Sequence, residues 1–356
     1  MARNNETLWD RILDAGHPAR WSRTLSRLGG RIQGLPREVI RMDFPELSRL
    51  MGRQLQSQNF DLVQFEYTVM AQYLDVVRAY SPQTAVVLEE IDISYIAMQR
   101  TLDFETGADC EDLSRQLDCM RHFERAQWKR VDSVAVMSQV ERLKVLEECD
   151  ESHVFVVPNG VDIAYFSFAE RKQYAQPHIL FLGSLFHSPN RIGLKAFLTG
   201  SWPKIRNMLP GVRLDVVGEG ASEDLLSFAS ESVIFHGFIE DIRAVFADSS
   251  LLVVPIWTGS GTRLKVLEAF ASGLPVVSTH LGCEGLNAKP DEHFLVAESP
   301  GEFADTIEAL ILKPDLGRKL ASRARSLVEK LYDWDVVAGQ AEEAWKAAIQ
   351  NLQPPP

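Results

Sequence analysis

The sequence has no apolar run approaching the ~18 residues that a membrane-spanning helix needs. Its longest such run, residues 251–257, reads as a buried strand. The opening residues, MARNNETLWDR, lack the apolar core of a signal peptide, so the cytoplasm is the expected compartment. Cysteine is scarce. Cys110, Cys119, Cys149 and Cys283 stand without a CxxC or a Cys/His metal spacing, and are read as reduced, packed thiols. There is no internal repeat, no GxxxxGK[ST] phosphate loop and no GxSxG nucleophile elbow. Positive charge is in deficit: 37 Lys and Arg face 49 Asp and Glu, a net charge of −12. That excludes a general nucleic-acid binder.

What is present is ordinary globular composition, 46% hydrophobic and 24% charged over 356 residues. A chain of this length fits two domains. The charge is uneven. Arg20, Arg23, Arg27, Arg31, Arg37 and Arg41 face a single acid, Glu38. This stretch reads either as the solvated face of a core-facing helix or as a patch for a membrane surface or an anionic substrate.

From residue 61 on, short apolar runs alternate with helical patterns. Strands are expected over 61–67, 85–89, 133–137 and 153–157, and helices near 68–79, 95–128 and 139–148. After VVPNGVD at 156–162 the alternation resumes. Strands are expected at 178–182, 212–217, 233–235, 251–255, 275–278 and 294–296, with helices between them. Strand alternating with helix predicts parallel sheets in an α/β protein. In such sheets, ligands sit at the carboxyl ends of the strands. The expected domains are 1–163 and 164–335, followed by a C-terminal helix and Pro-rich tail, 336–356.

Three loops invite a chemical reading. GEGASE, residues 218–223, starts like a dinucleotide fingerprint, but Glu223 stands where a small residue packs helix on strand; it reads as a tight turn. Asp333-Trp334-Asp335 is spaced like a metal-holding pair but lies between helices, so Asp335 reads as a helix cap. The strongest signal follows the strand at 251–255. Gly259, Ser260, Gly261 and Thr262 lead into Arg263, Lys265 and Glu268. Glycines let backbone approach a ligand closely, and the helix they open attracts an anion through its free N–H groups and dipole. Gly261, Lys265 and Glu268 share one helix face. They could hold a phosphate and a sugar hydroxyl together, or Lys265 and Glu268 could form an exposed ion pair.

From residue 156 to 345 the chain resembles the glycosyltransferase group 1 family, the retaining family 4 with the GT-B fold. The resemblance is carried by VVPNGVD, FLGSLFHSPN, VRLDVVGEG, HGFIED, PIWTGSGTRLKVLEAFASGLPVVST and GCEGL, in the family's order and spacing. It implies two Rossmann-like domains facing across a cleft, the second binding a nucleoside diphosphate sugar. It implies retaining transfer of that sugar to a polysaccharide, lipid-linked glycan or small-molecule acceptor, without a bound metal or other cofactor. By the same resemblance Gly183 and Ser184 approach the diphosphate, Gly237, Phe238 and Ile239 lie near the base, and Glu268 binds the ribose. Gly259, Ser260, Gly261, Thr262, Arg263 and Lys265 complete the donor site, with Ser260 where the family carries an acid that meets the sugar. The first half resembles the family in DLVQFEY, AVVLEEIDIS and VDSVAVMSQVERL. At the place of a family histidine stand Ile91 and Asp92, and Asp92 is the catalytic candidate. The family's opening strand and acceptor loop have no counterpart before residue 60, so an incomplete first domain is expected. Contact with the inner membrane face through the basic segment is a further expectation. The same fold also serves nucleotide-sugar 2-epimerases and nucleotide-binding pseudo-enzymes, and both stay open as alternatives.

Overall fold

The computed structural model describes residues 34–104, 110–169 and 176–352. The chain divides into two units. The first comprises Met1–Val157 and Gln340–Pro356; the second is Pro158–Gly339. The first unit therefore ends before the boundary expected at residue 163, and it takes back the end of the chain. Arg20, Arg23, Arg27 and Arg31, with the membrane contact expected of them, lie outside the described residues.

The described elements of the first unit are α1 (Arg37–Arg41), α2 (Pro45–Ser57), β1 (Leu62–Glu66), α3 (Leu74–Tyr80), β2 (Ala85–Glu90), α4 (Ser94–Phe104), α5 (Cys110–Trp128), β3 (Ser133–Val136), α6 (Gln139–Val145) and β4 (Val154–Val156). The strands pair in parallel in the order β1-β2-β3-β4. Apolar side chains of β2 and β3, together with Tyr73, Leu74, Phe123 and Trp128, form the core. The helical pattern expected over 95–128 is met by α4 and α5, with 105–109 outside the described residues. Arg37 and Arg41 pair within the protein, Arg37 with Asp112 at 2.8 Å and Arg41 with Glu38 at 3.8 Å.

The second unit holds β5 (His178–Leu182), α7 (Ser188–Ala196), α8 (Trp202–Met208), β6 (Arg213–Val217), α9 (Glu223–Leu226), β7 (Val233–Gly237), α10 (Arg243–Asp248), β8 (Leu251–Val254), α11 (Leu264–Ala271), β9 (Val276–Ser278), β10 (Leu295–Val296), α12 (Pro300–Leu312) and α13 (Pro314–Leu331). The last helix, α14 (Trp334–Asn351), starts in this unit and from Gln340 on belongs to the first. The sheet runs β10-β9-β8-β5-β6-β7, parallel throughout. Strand order reverses beside β5, the topological switch point where α/β sheets open a crevice. Both faces of the sheet are covered by helices, which is why β8 reads LLVV with every residue buried.

Two details tie the crossing segment to this unit. The Val161 N–H donates to the Tyr332 carbonyl at 2.8 Å. The Arg325 guanidinium donates to the carbonyls of Phe166 at 2.9 Å and Ala271 at 2.8 Å. The cap expected at Asp335 is displaced. The helix begins at Trp334, and the Asp333 carbonyl accepts the N–H groups of Val336 and Val337 at 2.9 and 3.0 Å. Asp335 is thus an acid of the first turn, where it still complements the dipole.

Candidate donor site at the carboxyl edge of the second sheet

The loops after β5, β6, β7 and β8 come together at one edge of the sheet. Gly183 ends β5 and donates its N–H to the Val217 carbonyl at 2.9 Å. Gly218 follows β6 at φ +144, and a Cβ there would stand 2.0 Å from the Gly183 carbonyl oxygen. Gly218 also donates to the Gly237 carbonyl at 2.8 Å. Three glycines from three strands therefore stack backbone on backbone. At Gly218 this close approach requires glycine, and GEG is an architectural turn. Ser184 is exposed, Phe238 is exposed, and Ile239 packs back on the core.

The loop after β8 turns through Gly259 at φ +93 and Gly261 at φ +78, conformations a side chain resists. It delivers the chain to α11, whose start has no side-chain cap. Thr262 is tied to the crossing segment: Asn159 Nδ2 donates to its Oγ1 at 2.7 Å. Ser260 Oγ is buried and, among the described residues, finds no hydrogen-bond partner. Arg263 folds back onto the loop and donates to the carbonyls of Ser260 and Gly261. Its charge braces the loop as well as raising the local potential.

Lys265 turns inward. Its Nζ donates to the Leu182 carbonyl at 2.6 Å and to Asn190 Oδ1 at 2.9 Å, and lies 5.3 Å from the Phe181 ring centroid. Asn190 in turn donates through Nδ2 to the Ser184 carbonyl at 2.9 Å. The exposed ion pair with Glu268 is not what forms; lysine bridges the β8 loop to the β5 loop. Burial, and next the charge of Arg263, push its pKa down to about 7, with Glu268 opposing. Burial pushes the Glu268 carboxyl above its usual range, with Lys265 pulling it back. Asn190 and Asn159 lay inside motifs quoted from the sequence, but their roles need the fold. The SPN turn, with Asn on the first turn of α7, was the available signal.

Asp92 stands apart, in the first unit, just past β2. Around it gather carboxyls that the sequence did not single out. Glu90 is fully buried, accepts the Trp128 indole N–H at 2.7 Å and the Thr68 hydroxyl, and keeps one oxygen unpartnered among the described residues. Glu124 accepts the N–H groups of Ser94 and Tyr95 at 2.8 and 3.2 Å and so caps α4 from another helix. Ser138 caps the start of α6: its Oγ accepts the Glu141 N–H at 3.2 Å and donates to Glu141 Oε2 at 3.0 Å. Burial raises all three pKa values, that of Glu141 to about 8. Among the described residues, no three His, Cys, Asp or Glu side chains are grouped so as to hold a metal ion, and no helix is long and apolar enough to cross a membrane.

Comparison with known proteins fits this geometry. Residues 176–313 match the family described as glycosyl transferases group 1. A phosphatidyl-myo-inositol mannosyltransferase of Mycobacterium tuberculosis is 28% identical over 226 residues, which is 60% of this chain and 58% of that protein. The chain matches little more than half the length of such curated relatives. Among solved structures, a sucrose-phosphate synthase from Thermosynechococcus elongatus superposes with a TM-score of 0.68 at 17% identity, over 85% of this chain and 77% of that one. The Anabaena protein HepE, solved with UDP, superposes with a TM-score of 0.65 at 16% identity, over 85% of this chain and 82% of its own. The fold is GT-B.

Proposed function

Since residues 176–313 are a glycosyl transferases group 1 domain, we propose that the chain binds a nucleoside diphosphate sugar in its second unit and transfers the sugar. One observation carries the reading. A glycine loop opens α11 at the carboxyl edge of the sheet, with Arg263 and Lys265 in reach of its start. The loop backbone and helix start receive the diphosphate. The two cations stabilise the negative charge that grows on it as the glycosidic bond breaks. Glu268 takes the ribose hydroxyls, and the loop after β7, with Gly237, Phe238 and Ile239, flanks the base. HepE was solved with UDP and with UDP-glucose, which makes uridine nucleotides the first probes.

Transfer proceeds with retention, to a glycan or lipid-linked hydroxyl, and the reaction uses no bound metal. Asp92 is the first-unit candidate for contact with the reacting groups. The test is calorimetric titration with UDP, GDP and their sugar conjugates, followed by an assay of donor turnover with and without glycan acceptors. Absence of nucleotide binding sinks the reading. Binding without any turnover, including hydrolysis, favours a nucleotide-binding pseudo-enzyme, the reading to which Ser260 in place of an acid lends support.

A further inference from the structure

The side chains of the β8 loop offer an incoming sugar very little. Residues 259 and 261 are glycines, Ser260 Oγ is buried, and Thr262 is engaged by Asn159. Arg263 and Lys265 direct hydrogen bonds onto backbone carbonyls. The neighbouring loop, after β9, carries an oriented imidazole. His280 Nδ1 lies 2.6 Å from Glu298 Oε1, and the same oxygen accepts the His280 backbone N–H at 2.7 Å. The carboxylate thus fixes the proton on Nδ1 and leaves Nε2 as the outward nitrogen of a ring that is 67% exposed.

Both members of this pair are anchored to the residues that lead into the glycine loop. Thr279 Oγ1 donates to the Ile256 carbonyl, and the Gly282 N–H donates to Thr279 Oγ1 at 2.9 Å. The Trp257 indole donates to the Glu298 carbonyl at 2.7 Å, while its ring packs edge-on against Phe303 at 5.9 Å. The Glu298 N–H is held by Glu302 Oε2 at 2.7 Å. A surface ion pair would be satisfied by two mobile side chains. Here the backbone that carries the pair is tied down, at Thr279 to Ile256 and at Glu298 to Trp257 and Glu302.

We propose that His280, held by Glu298, contacts the transferred sugar of the donor through Nε2 and so supplies a polar contact that Ser260 does not. The inference rests on the donor-site reading above. It assigns the diphosphate to the β8 loop and the sugar to the adjacent β9 loop.

The test compares affinities for a nucleoside diphosphate and for its sugar conjugate. Wild type is titrated with UDP and UDP-glucose, and with GDP and GDP-mannose, and the pair that binds is carried forward. His280→Ala is expected to weaken the sugar nucleotide about fivefold to tenfold, the loss of one hydrogen bond, while the plain diphosphate binds as before. Glu298→Gln, which releases the ring without removing it, is expected to give a smaller change in the same ratio. Unchanged diphosphate affinity shows that a variant is folded, and a misfolded His280→Ala leaves Glu298→Gln to decide. A ratio equal to wild type in a folded variant overturns the inference alone. Wild type that binds none of the four probes overturns the donor-site reading and the inference with it.

Discussion

The ammonium of Lys265 lies 2.6 Å from the carbonyl oxygen of Leu182, a residue 83 positions earlier in the chain. This bond joins the end of β5 to the first turn of α11. Burial and the nearby Arg263 hold the pKa of Lys265 near 7 against an ordinary 10.5. Between those two values the unfolded chain keeps a proton that the folded chain has released, so stability rises with pH across that window. It is lost again as pH falls through about 7. Urea unfolding at pH 7 and pH 9 is expected to show this rise in wild type and a smaller one in Lys265→Met.

A bound diphosphate favours the charged form of the same lysine. UDP binding at pH 8 is therefore expected to take up protons. Calorimetry in buffers of different ionisation enthalpy measures the uptake directly. Uptake that persists unchanged in Lys265→Met would place the responsible group elsewhere.

Glu268 is half-buried on the helix that the glycine loop opens. Glu268→Ala is expected to remove a charge-assisted hydrogen bond to the ribose, about 1.5–3 kcal/mol, and so to weaken UDP roughly tenfold or more. Affinity equal to wild type would refute this assignment of the carboxylate.

The glycine stack gives a prediction that needs no ligand. Gly218→Ala places a methyl 2.0 Å from the Gly183 carbonyl oxygen, on a backbone at φ +144. It is expected to cost about 2–4 kcal/mol and to disturb nucleotide binding with it. Gly339 lies inside α14 with open space where its Cβ would go. Gly339→Ala is expected to stabilise by about 0.5–1 kcal/mol. Thermal unfolding of the two variants separates a glycine that geometry requires from one that it does not.

In the first unit the sign of the pH effect is opposite. Burial raises the Glu141 carboxyl to about 8, and the charges of Asp92 and Glu90 raise it further against the Ser138 hydrogen bond. The folded chain then holds a proton that the unfolded chain gives up above about 4.5. The stability it contributes is present below that pH and is lost as pH rises through 8. Hydrogen exchange across β3, corrected for intrinsic rates, is expected to show less protection at pH 8.5 than at pH 6, with the difference reduced in Glu141→Gln.

The strands and the glycine loop were legible in the sequence because both are local signals. LLVV at β8 is a buried parallel strand whatever it pairs with, and two glycines around one serine demand a tight backbone wherever they stand. The direction of Lys265 was not legible. Spacing put it on a face with Glu268, but its partners, Leu182 and Asn190, reach it through sheet order, which no local pattern encodes. The same holds for Glu124. An acid late in α5 reads as surface until the fold carries it beneath the first turn of α4, where two N–H groups need an acceptor. Asp335 was misread by two positions because either acid of the DWD turn satisfies the dipole, and the helix start alone decides between them.

The membership of α14 has a bearing on biosynthesis. Trp345 donates its indole N–H to Gln64 Oε1 at 2.6 Å, and Asn351 Nδ2 donates to the Ser152 carbonyl at 3.1 Å. The first unit is thus closed by residues translated after the whole of the second. During vectorial synthesis, the second unit can complete its sheet and both covering layers while its predecessor still lacks a helix. The order of maturation on the ribosome then runs opposite to the order of the units in the chain.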